Sequence, residues 1–470
     1  MYESKRHDDA YRGLRMMMLS EITKAVNGRM IGADVLVQSV GTDSRSIVNN
    51  QLFIGIKGES FDGNTYAQEA IKQGAAAVLV SDENTQANPA VLVQDTRLAL
   101  GSLAKYWRDK FKLPLVAVTG SNGKTTVKEM IVAILAVTNK NTLATQGNLN
   151  NDIGMPLTLL KMRAENAVAV IEMGMSHEGE IRYLTNMAQP TIAVVNNAGT
   201  AHIGEVGSRE AIARAKGEIY EGLKADGVAI INADDDYADY WQSLNTTRKV
   251  ITFGLNKKAD VTATYQISGN QTQITLKTPN GQIQFELNVL GVHNIYNALA
   301  ASAVAVALGV SNRDISKGLA GFDAVKGRLN WQPGHNGAVL IDDTYNANPD
   351  SMKAAIAVLA NQKTKQIFVM GDMGELGIDS PQMHADIGLY AKQSSINQLF
   401  TFGEMSQLAA KAFGVGAQHF SSIEALVTSL KPLMQKGVTV LVKGSRFMQM
   451  ERVVNQLLEK NNTLEEKQCC

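Results

Sequence analysis

Cysteine is almost missing from this sequence, because its two cysteines, Cys469 and Cys470, stand side by side at the C-terminal end behind a polar stretch. Two adjacent cysteines cannot build a disulfide framework, and they lack the spacing of a metal site. We therefore expect a protein of a reducing compartment, the cytoplasm. A terminal Cys-Cys pair can accept lipid in some GTPases, but the simpler interpretation is a flexible tail over 459–470.

Long apolar runs are also lacking, and neither sign of charge is in excess. The longest nearly apolar stretch, NALAASAVAVALGV, has 14 residues and is too short to cross a bilayer, so we expect no membrane insertion. Lys plus Arg and Asp plus Glu number 45 each, which gives no indication of a nucleic-acid partner. The first stretch, 1–17, has charges but no signal-peptide core, and we expect it to be flexible.

What the sequence does contain is typical of a folded α/β protein. Hydrophobic residues make up 45% and charged residues 19% of 470 residues, and this length predicts several domains. Strand and helix patterns alternate throughout, and the breaks between them predict domains at 18–97, 98–325 and 326–458. The middle domain should have a mainly parallel sheet with a polar antiparallel flap at 260–290.

The stretch VAVTGSNGKTTVKEM, 116–130, predicts a phosphate-binding loop between a strand and a helix. Backbone N–H groups and the helix N-terminus would bind phosphate, Lys124 would add a cation, and the Thr125 hydroxyl could bind Mg²⁺. The loop is shorter than G-x-x-x-x-G-K-[ST], since Val118 stands where the first glycine is usual. The alternative is a structural turn with an incidental lysine. The predicted ATP contacts are Thr119, Gly120, Ser121, Asn122, Gly123, Lys124, Thr125 and Thr126.

Three further residues of the middle domain are candidates for chemistry. Glu172 ends a predicted buried strand, where a carboxylate must be paired or bound to a metal. His202 lies in a glycine-rich loop after another strand, although a lone loop histidine is often only solvated. Lys216 lies on a helical stretch, where a surface lysine is the ordinary interpretation.

Two polar clusters follow strands elsewhere. Asn148, Asn150 and Asn151 precede an apolar helix and could act as helix caps alone. In the last domain, IDDTYNANPDSM places Asp342 and Asp343 at a strand end, where open α/β sheets bind ligands. Helix capping would explain the asparagine and proline of this segment, but not the paired carboxylates.

These motifs occur in one order along 18–455, and together they resemble the Mur ligases, which add amino acids to the precursor of the bacterial cell wall. Within the family, DDTYNANPDSM, GDMGELG and KGSR are most similar to the members that add D-Ala-D-Ala to UDP-MurNAc-tripeptide. Members that add meso-diaminopimelate or lysine usually have D-Y-A-H-x-P at the first of these segments. The matching segments are TGSNGKT, NLNNDIGMPLTLL, IEMG, AHIG, GVHNIYNALAA, KGRL and DDTYNANPDSM.

The resemblance implies a small N-terminal α/β domain, a central ATPase-type domain with a mostly parallel sheet, and a C-terminal Rossmann-like domain. It also implies a reaction that consumes ATP and needs Mg²⁺: a carboxylate attacks the γ-phosphate, and an amine then displaces phosphate from the acyl phosphate. Lys124 would contact the phosphates, and Thr125 and Glu172 would hold one Mg²⁺. His202 would bind a second metal, with Lys216 if that lysine is carbamylated, as in several members.

The resemblance also implies the contacts with the ligands. We expect the protein to be a monomer. The nucleotide would also meet His293, Asn294, Asn297, Arg328 and Asp343. The uridine-sugar substrate would meet Ser44 and Arg45 in TDSR, Asp62 and Gly63 in FDGN, and Asn148 and Asn151. The incoming D-Ala-D-Ala would meet Asn346, Asn348, Lys443 and Arg446.

Two other interpretations stay open. One is a different amide ligase, such as a diaminopimelate- or lysine-adding Mur ligase or a folylpolyglutamate synthetase, although TDSR and FDGN argue against the folate enzyme. The other is a GTPase-like switch or an ATP-binding interaction protein. The absence of an N-K-x-D guanine motif argues against GTP, because the nearest string, NKKAD, has one residue too many.

Overall fold

A computed structural model describes residues 16–58, 61–268 and 271–459 of the chain. Three α/β regions follow one another, and each is organised around its own sheet of five or six strands. The expected α/β class, with three α/β regions and mostly parallel main sheets, is confirmed. The exact domain limits predicted above stay predictions.

The first region has a five-stranded sheet of order β2-β7-β6-β5-β4, in which only the β2–β7 pair is antiparallel. Its central strands, β5 and β6, are fully buried, as their apolar runs require. Asp95 caps the long helix that leads away, by accepting from the Arg97 and Leu98 amides. The elements are β1 (Met17–Met18), α1 (Leu19–Ala25), β2 (Arg29–Ile31), β3 (Leu36–Val37), β4 (Ser39–Gly41), β5 (Gln51–Ile54), α2 (Ala67–Lys72), β6 (Ala77–Val80), β7 (Ala90–Leu92) and α3 (Thr96–Arg108).

The middle region has a six-stranded, fully parallel sheet of order β13-β12-β11-β8-β10-β9. Its strands are short apolar runs buried on both faces, and helices cover them. The elements are β8 (Leu115–Thr119), α4 (Lys124–Val137), β9 (Thr142–Ala144), α5 (Gly154–Leu159), β10 (Val168–Glu172), α6 (Glu180–Ala188), β11 (Ile192–Val195), α7 (Ile203–Val206), α8 (Arg209–Gly217), β12 (Val228–Asn232), α9 (Ala238–Ser243) and β13 (Lys249–Phe253).

The predicted flap is confirmed as an antiparallel three-stranded sheet of order β14-β15-β16. Buried and exposed residues alternate along its middle strand, so one face packs on the core. The Ala-rich run that we expected to be a buried helix follows the flap and forms the longer of the two helices there. The elements are β14 (Thr262–Ser268), β15 (Gln271–Thr278), β16 (Gly281–Leu287), α10 (Val292–Ala307) and α11 (Asn312–Ala320).

The last region has a six-stranded sheet of order β17-β18-β22-β19-β20-β21, parallel except for the edge pair β17–β18. Apolar clusters cover both of its faces. The sequence did not predict the two edge strands, β17 and β21, which are short and polar. The elements are β17 (Asn330–Pro333), β18 (Val339–Asp343), α12 (Pro349–Ala360), β19 (Lys365–Gly371), α13 (Ser380–Gln393), β20 (Gln398–Phe402), α14 (Ser406–Phe413), β21 (Ala417–Phe420), α15 (Ile423–Leu430), β22 (Val438–Lys443) and α16 (Glu451–Leu457).

The chain ends differ in part from the expectation. Met16 and Met17 are buried, and Met17 pairs with Val37, so the ordered chain begins before the predicted limit at 18. Glu459 donates its amide to a backbone carbonyl. The stretches 1–15 and 460–470, with Cys469 and Cys470, lie outside the described residues. None of the described helices is both long and apolar enough to cross a membrane.

Candidate active site

A cavity of about 870 Å³ lies where the carboxyl ends of the middle and last sheets face each other. The loops after β8, β10, β11 and β12 form one wall, and the loops after β18, β19 and β22 form the other. Open parallel sheets bind ligands at the carboxyl ends of their strands. The phosphate loop and the aspartate-rich segment of the last region therefore lie in one site.

The phosphate loop is held in shape by glycine and by asparagine side chains. Gly123 precedes α4 with a φ of +81°, and a Cβ there would lie 2.2 Å from Asn297 Oδ1, so only glycine fits. The Asn122 amide donates to Asn197 Oδ1 at 2.9 Å. The shorter loop is thus a formed structure at the N-terminus of a helix, where phosphate binds well.

Lys124 begins α4 and turns back over the loop, where its Nζ donates to Gly120 O at 2.7 Å. Burial lowers the pKa of Lys124, and the carboxylate of Glu172 opposes that shift. Thr119 is buried and donates its hydroxyl to Met173 O, so its side chain is used inside the fold. The loop residues that line the cavity are Ser121, Asn122, Gly123, Lys124 and Thr126.

Glu172 is 2% exposed at the end of β10, and each of its carboxylate oxygens has a partner. The Thr125 hydroxyl donates to Oε2 at 2.8 Å, and Asn150 Nδ2 donates to Oε1 at 2.7 Å. The Glu172 amide donates to Thr145 Oγ1. Thr125 and Asn150 therefore hold the Glu172 carboxylate in one orientation through these two hydrogen bonds.

The Thr125 and Glu172 oxygens fit a magnesium ion. Mg²⁺ is held by one or two protein oxygens and by substrate phosphates, not by a full protein cage. Among the described residues no group of three or more His, Cys, Asp and Glu side chains is arranged to hold a metal. A hydroxyl and a carboxylate oxygen 2.8 Å apart beside a phosphate loop are enough for such a shared site.

His202 faces the last region. It has a φ of +63°, and its Nδ1 lies 2.6 Å from Glu375 Oε2. The Gly204 amide donates to Glu375 O at 3.0 Å, and a Cβ on Gly204 would lie 2.3 Å from Gly377 N. The histidine loop is thus held against the segment after β19, and with Nδ1 facing Glu375 the predicted metal role would fall to Nε2.

Lys216 is 1% exposed on α8, so the surface interpretation of this lysine is wrong. Within the described chain no carboxylate lies at ion-pair distance from its amine. Burial, reinforced by the charge of Lys124, holds the pKa of Lys216 well below its usual range. Burial therefore favours the uncharged form of this amine.

The predicted adenine-side residues lie at the start of α10 and line the cavity. Asn294 and Asn297 are buried, and their amides join a network in which Asn196 Nδ2 donates to Asn297 Oδ1 and Asn297 Nδ2 donates to Asn294 Oδ1. Burial lowers the pKa of His293 to about 4, so it is neutral at pH 7. These asparagines support the loop through Asn196, and direct contact with the nucleotide stays a prediction.

Charged groups of the last region meet at the opposite wall. Arg328 Nη2 donates to Thr125 Oγ1 at 2.9 Å, so this arginine reaches across to the phosphate loop. Asp343 pairs with Lys443 at 2.6 Å, and Lys443 also donates to Asn346 O. Arg446 is exposed and pairs with Glu451. The residues of this group that line the cavity are Arg328, Asp343, Asn346, Lys443 and Arg446, but Lys443 and Asp343 already satisfy each other.

Two direct contacts join the walls near the loop. Asn348 caps α12 as expected, and its Nδ2 also donates to Asn122 Oδ1 at 2.8 Å. Asp350 Oδ2 accepts from both the amide and the hydroxyl of Thr200, each at 2.8 Å. The last region therefore touches the loop that binds phosphate and the loop that carries His202.

The predicted uridine-sugar residues lie apart from this cavity. Arg45 pairs with Asp43 on the surface, and Asp62 accepts from Asn64. Ser44, Arg45, Asp62 and Gly63 do not line the cavity, whereas Asn148 and Asn151 do. Asn151 Oδ1 also accepts from the Gly154 amide, so the capping interpretation holds for this residue.

Several residues of the site were not predicted. Asn150 was noticed only as a member of its cluster, and Thr200, Tyr345, Asp350 and Glu375 were not assigned. Tyr345 and Asp350 stand in a quoted motif and Glu375 in GDMGELG, so the motifs contained a signal for them. The partners of Thr200, Asp350 and Glu375 lie 150 or more positions away along the chain.

Parallel sheets, a short phosphate loop and a threonine–glutamate pair, faced by an arginine from another region, are typical of an enzyme that transfers a phosphoryl group from a nucleotide. The chain belongs to the Mur ligase family. The family model for the Mur ligase middle domain matches 118–305, that for the glutamate ligase domain matches 327–446, and that for the Mur ligase family catalytic domain matches 36–108.

Relatives agree with this family over nearly the whole chain. The chain is 44% identical over 445 residues to the UDP-N-acetylmuramoyl-tripeptide--D-alanyl-D-alanine ligase of Escherichia coli K12, covering 94% of this chain and 98% of the relative. MurF from Acinetobacter baumannii is similar in structure, with a TM-score of 0.88, 36% identity and coverage of 94% and 99%. The MurF ligase from Thermotoga maritima in complex with ADP has a TM-score of 0.81, 28% identity and coverage of 89% and 96%.

Proposed function

We propose that this chain is the ligase that adds D-Ala-D-Ala to UDP-MurNAc-tripeptide with ATP, in the synthesis of the peptidoglycan precursor. The observation that carries the proposal is the likeness, over 94% of the chain, to a relative that is named for this activity. The Thr125 and Glu172 pair beside the phosphate loop supports it, because phosphoryl transfer needs positioned charge more than covalent help. The cytoplasmic location and the monomeric state stay predictions.

The reaction has two steps. The terminal carboxylate of the tripeptide attacks the γ-phosphorus of ATP, which gives an acyl phosphate and ADP. The amine of D-Ala-D-Ala then attacks the acyl carbon, so that a C–N bond forms, the C–O bond to phosphate breaks and the amine loses a proton. Because an acyl phosphate hydrolyses in water, a site closed by two walls protects it.

The residues would divide the work as follows. Lys124 would neutralise the β- and γ-phosphates, and Arg328 would approach them from the other wall. Thr125 and Glu172 would hold Mg²⁺, which supplies charge neutralisation for the phosphates. Asn346, Asn348, Lys443 and Arg446 would meet the incoming dipeptide.

Lys216 would act as a carbamate. Its amine is buried, and burial holds its pKa well below the usual range, which favours the neutral amine that adds to carbon dioxide with loss of a proton. The product is an anion, which would pair with Lys124 and could help His202 to hold a second metal. This assignment explains why a lysine without a carboxylate partner is buried here.

A phosphate-release assay that omits each substrate in turn tests the function. We expect release to require ATP, UDP-MurNAc-tripeptide and D-Ala-D-Ala together, and the product mass to equal the tripeptide plus the dipeptide less water. Release with a single amino acid in place of D-Ala-D-Ala would assign the chain to another Mur step. An ATPase rate that responds to neither peptide would reject a ligase altogether.

A further inference from the structure

Arg328 is the one cation of the last wall that donates directly to the phosphate loop among the described residues. Its guanidinium carbon lies 4.2 Å from the centre of the Tyr345 ring, while Nη2 donates to Thr125 Oγ1 at 2.9 Å. The flat group is thus fixed on its face by an aromatic ring and at its edge by a hydroxyl. Arginine stacks on aromatic faces in this way with a real energetic gain.

The backbone fixes the ring relative to the arginine. The Tyr345 amide donates to Gly327 O at 3.1 Å, and the Leu329 amide donates to Asp343 Oδ1 at 3.1 Å. Gly327 has a φ of +74°, and Leu329, which is not glycine, has a φ of +48°. Gly327 and Leu329, on either side of Arg328, therefore have left-handed backbone. They are hydrogen-bonded to Tyr345 and Asp343, respectively. This arrangement sets where the guanidinium can lie.

We propose that Tyr345 is a positioning residue that holds the Arg328 guanidinium toward the phosphate loop and so toward the nucleotide. The proposal rests on the proposed function, because the loop is taken to bind ATP. A free arginine side chain samples many rotamers, and ordering it costs entropy when the ligand binds. The ring removes most of that freedom in advance, since it occupies one face of the guanidinium and leaves the edge able to donate hydrogen bonds, as Nη2 does to Thr125 Oγ1.

Replacement of the ring tests the proposal in the full-length protein. We expect Tyr345→Leu to weaken binding of a non-hydrolysable ATP analogue with Mg²⁺ by about 2- to 30-fold, the range of cation–π interactions. kcat/KM for ATP should fall by the same factor. Calorimetric affinity for UDP-MurNAc-tripeptide and the melting temperature should not change. Tyr345→Phe keeps the aromatic face and should recover most of the loss.

A double-mutant cycle separates positioning from packing. In an Arg328→Ala background, Tyr345→Leu should weaken nucleotide binding by less than about 2-fold, because the group it holds is gone. Tyr390→Leu is the matched control, since it removes a ring under Lys353 at 5.9 Å in the same region. That variant should bind the nucleotide as the unaltered protein does.

Either of two results would overturn the proposal: Tyr345→Leu binding the nucleotide as tightly as the unaltered protein, or losses that simply add in the double variant. If Tyr345→Leu does not fold, Arg328→Lys makes the same comparison, because it keeps the charge and loses the flat group. Undiminished binding by Arg328→Lys would also reject the proposal. If the unaltered protein forms no product with D-Ala-D-Ala, the proposed function fails, and nucleotide binding still decides the role of Tyr345.

Discussion

Asp350 provides the most direct test of how the two walls of the cavity are held together. Its Oδ2 accepts from the Thr200 amide and hydroxyl, each at 2.8 Å, and a Cβ on Gly199 would lie 2.5 Å from the same oxygen. A hydrogen bond to a charged acceptor contributes about 1.5 kcal/mol at the lower end of its range. Asp350→Ala should therefore cost the closed arrangement about 3 kcal/mol, or roughly two orders of magnitude in the equilibrium between closed and open forms.

Thr200→Val provides an internal scale for this estimate. Valine keeps the backbone amide and loses the hydroxyl, so one of the two hydrogen bonds remains. The expected cost is about 1.5 kcal/mol, or roughly tenfold. The control is Asp314→Ala, which removes a first-turn aspartate that accepts from the Ser311 hydroxyl far from the cavity.

Closure is measured as a distance distribution between two spin labels. Exposed Leu244 and Val415 are replaced by labelled cysteines, with Cys469 and Cys470 changed to serine, and the protein is saturated with an ATP analogue and UDP-MurNAc-tripeptide. We expect the long-distance population to increase in the order Asp314→Ala, Thr200→Val, Asp350→Ala. Equal distributions for Asp350→Ala and the unaltered protein would refute the reasoning.

Two other predictions concern the cation of the loop and a buried acid. Lys124→Ala should abolish product formation and leave calorimetric affinity for UDP-MurNAc-tripeptide largely unchanged, because the predicted uridine-sugar residues of the first region lie outside the cavity; loss of both would contradict this separation. Burial raises the pKa of Glu218 above its usual 4.5, against the hydrogen bonds that it accepts from the Arg182 and Gly179 amides. Folding therefore favours the protonated form of Glu218. The contribution of this carboxyl group to the free energy of unfolding is fully present below pH 4.5 and is lost as the pH rises through its pKa in the folded protein. Glu218→Gln should raise the melting temperature at pH 7 and lose this advantage toward pH 4, whereas a lower melting temperature at pH 7 would mean that the ion pair with Arg182 dominates.

Local sequence predicted much of the fold because its signals lie within single elements. Apolar runs of four to six residues became the buried strands β8, β10, β11 and β22. The polar alternation between 260 and 290 became the three-stranded flap. The edge strands β17 and β21 were not predicted, because their polar and half-exposed residues have no apolar pattern and their pairing depends on distant strands.

The candidate site was predicted where its chemistry needs particular residue types at a strand end. Glu172 and Thr125 are examples, since a phosphate loop followed by a buried acid is itself a chemical pattern. Asp350 and Glu375 were not predicted, because their roles come from contacts with residues 150 or more positions away, Thr200 and His202. For Lys216 the local sequence was misleading. A lysine on a helix is usually exposed, but packing against neighbouring elements buries this one.

The contact between Gly204 and Gly377 has a consequence for anyone who wishes to engineer this enzyme. The contact joins two backbone segments, and a Cβ on Gly204 would lie only 2.3 Å from Gly377 N. A single methyl group there would act as a wedge between the two walls, also 2.9 Å from Glu375 O, and would replace no charged side chain and no predicted phosphate contact. This position therefore offers a steric means of separating the assembly of the two walls from the chemistry that they enclose.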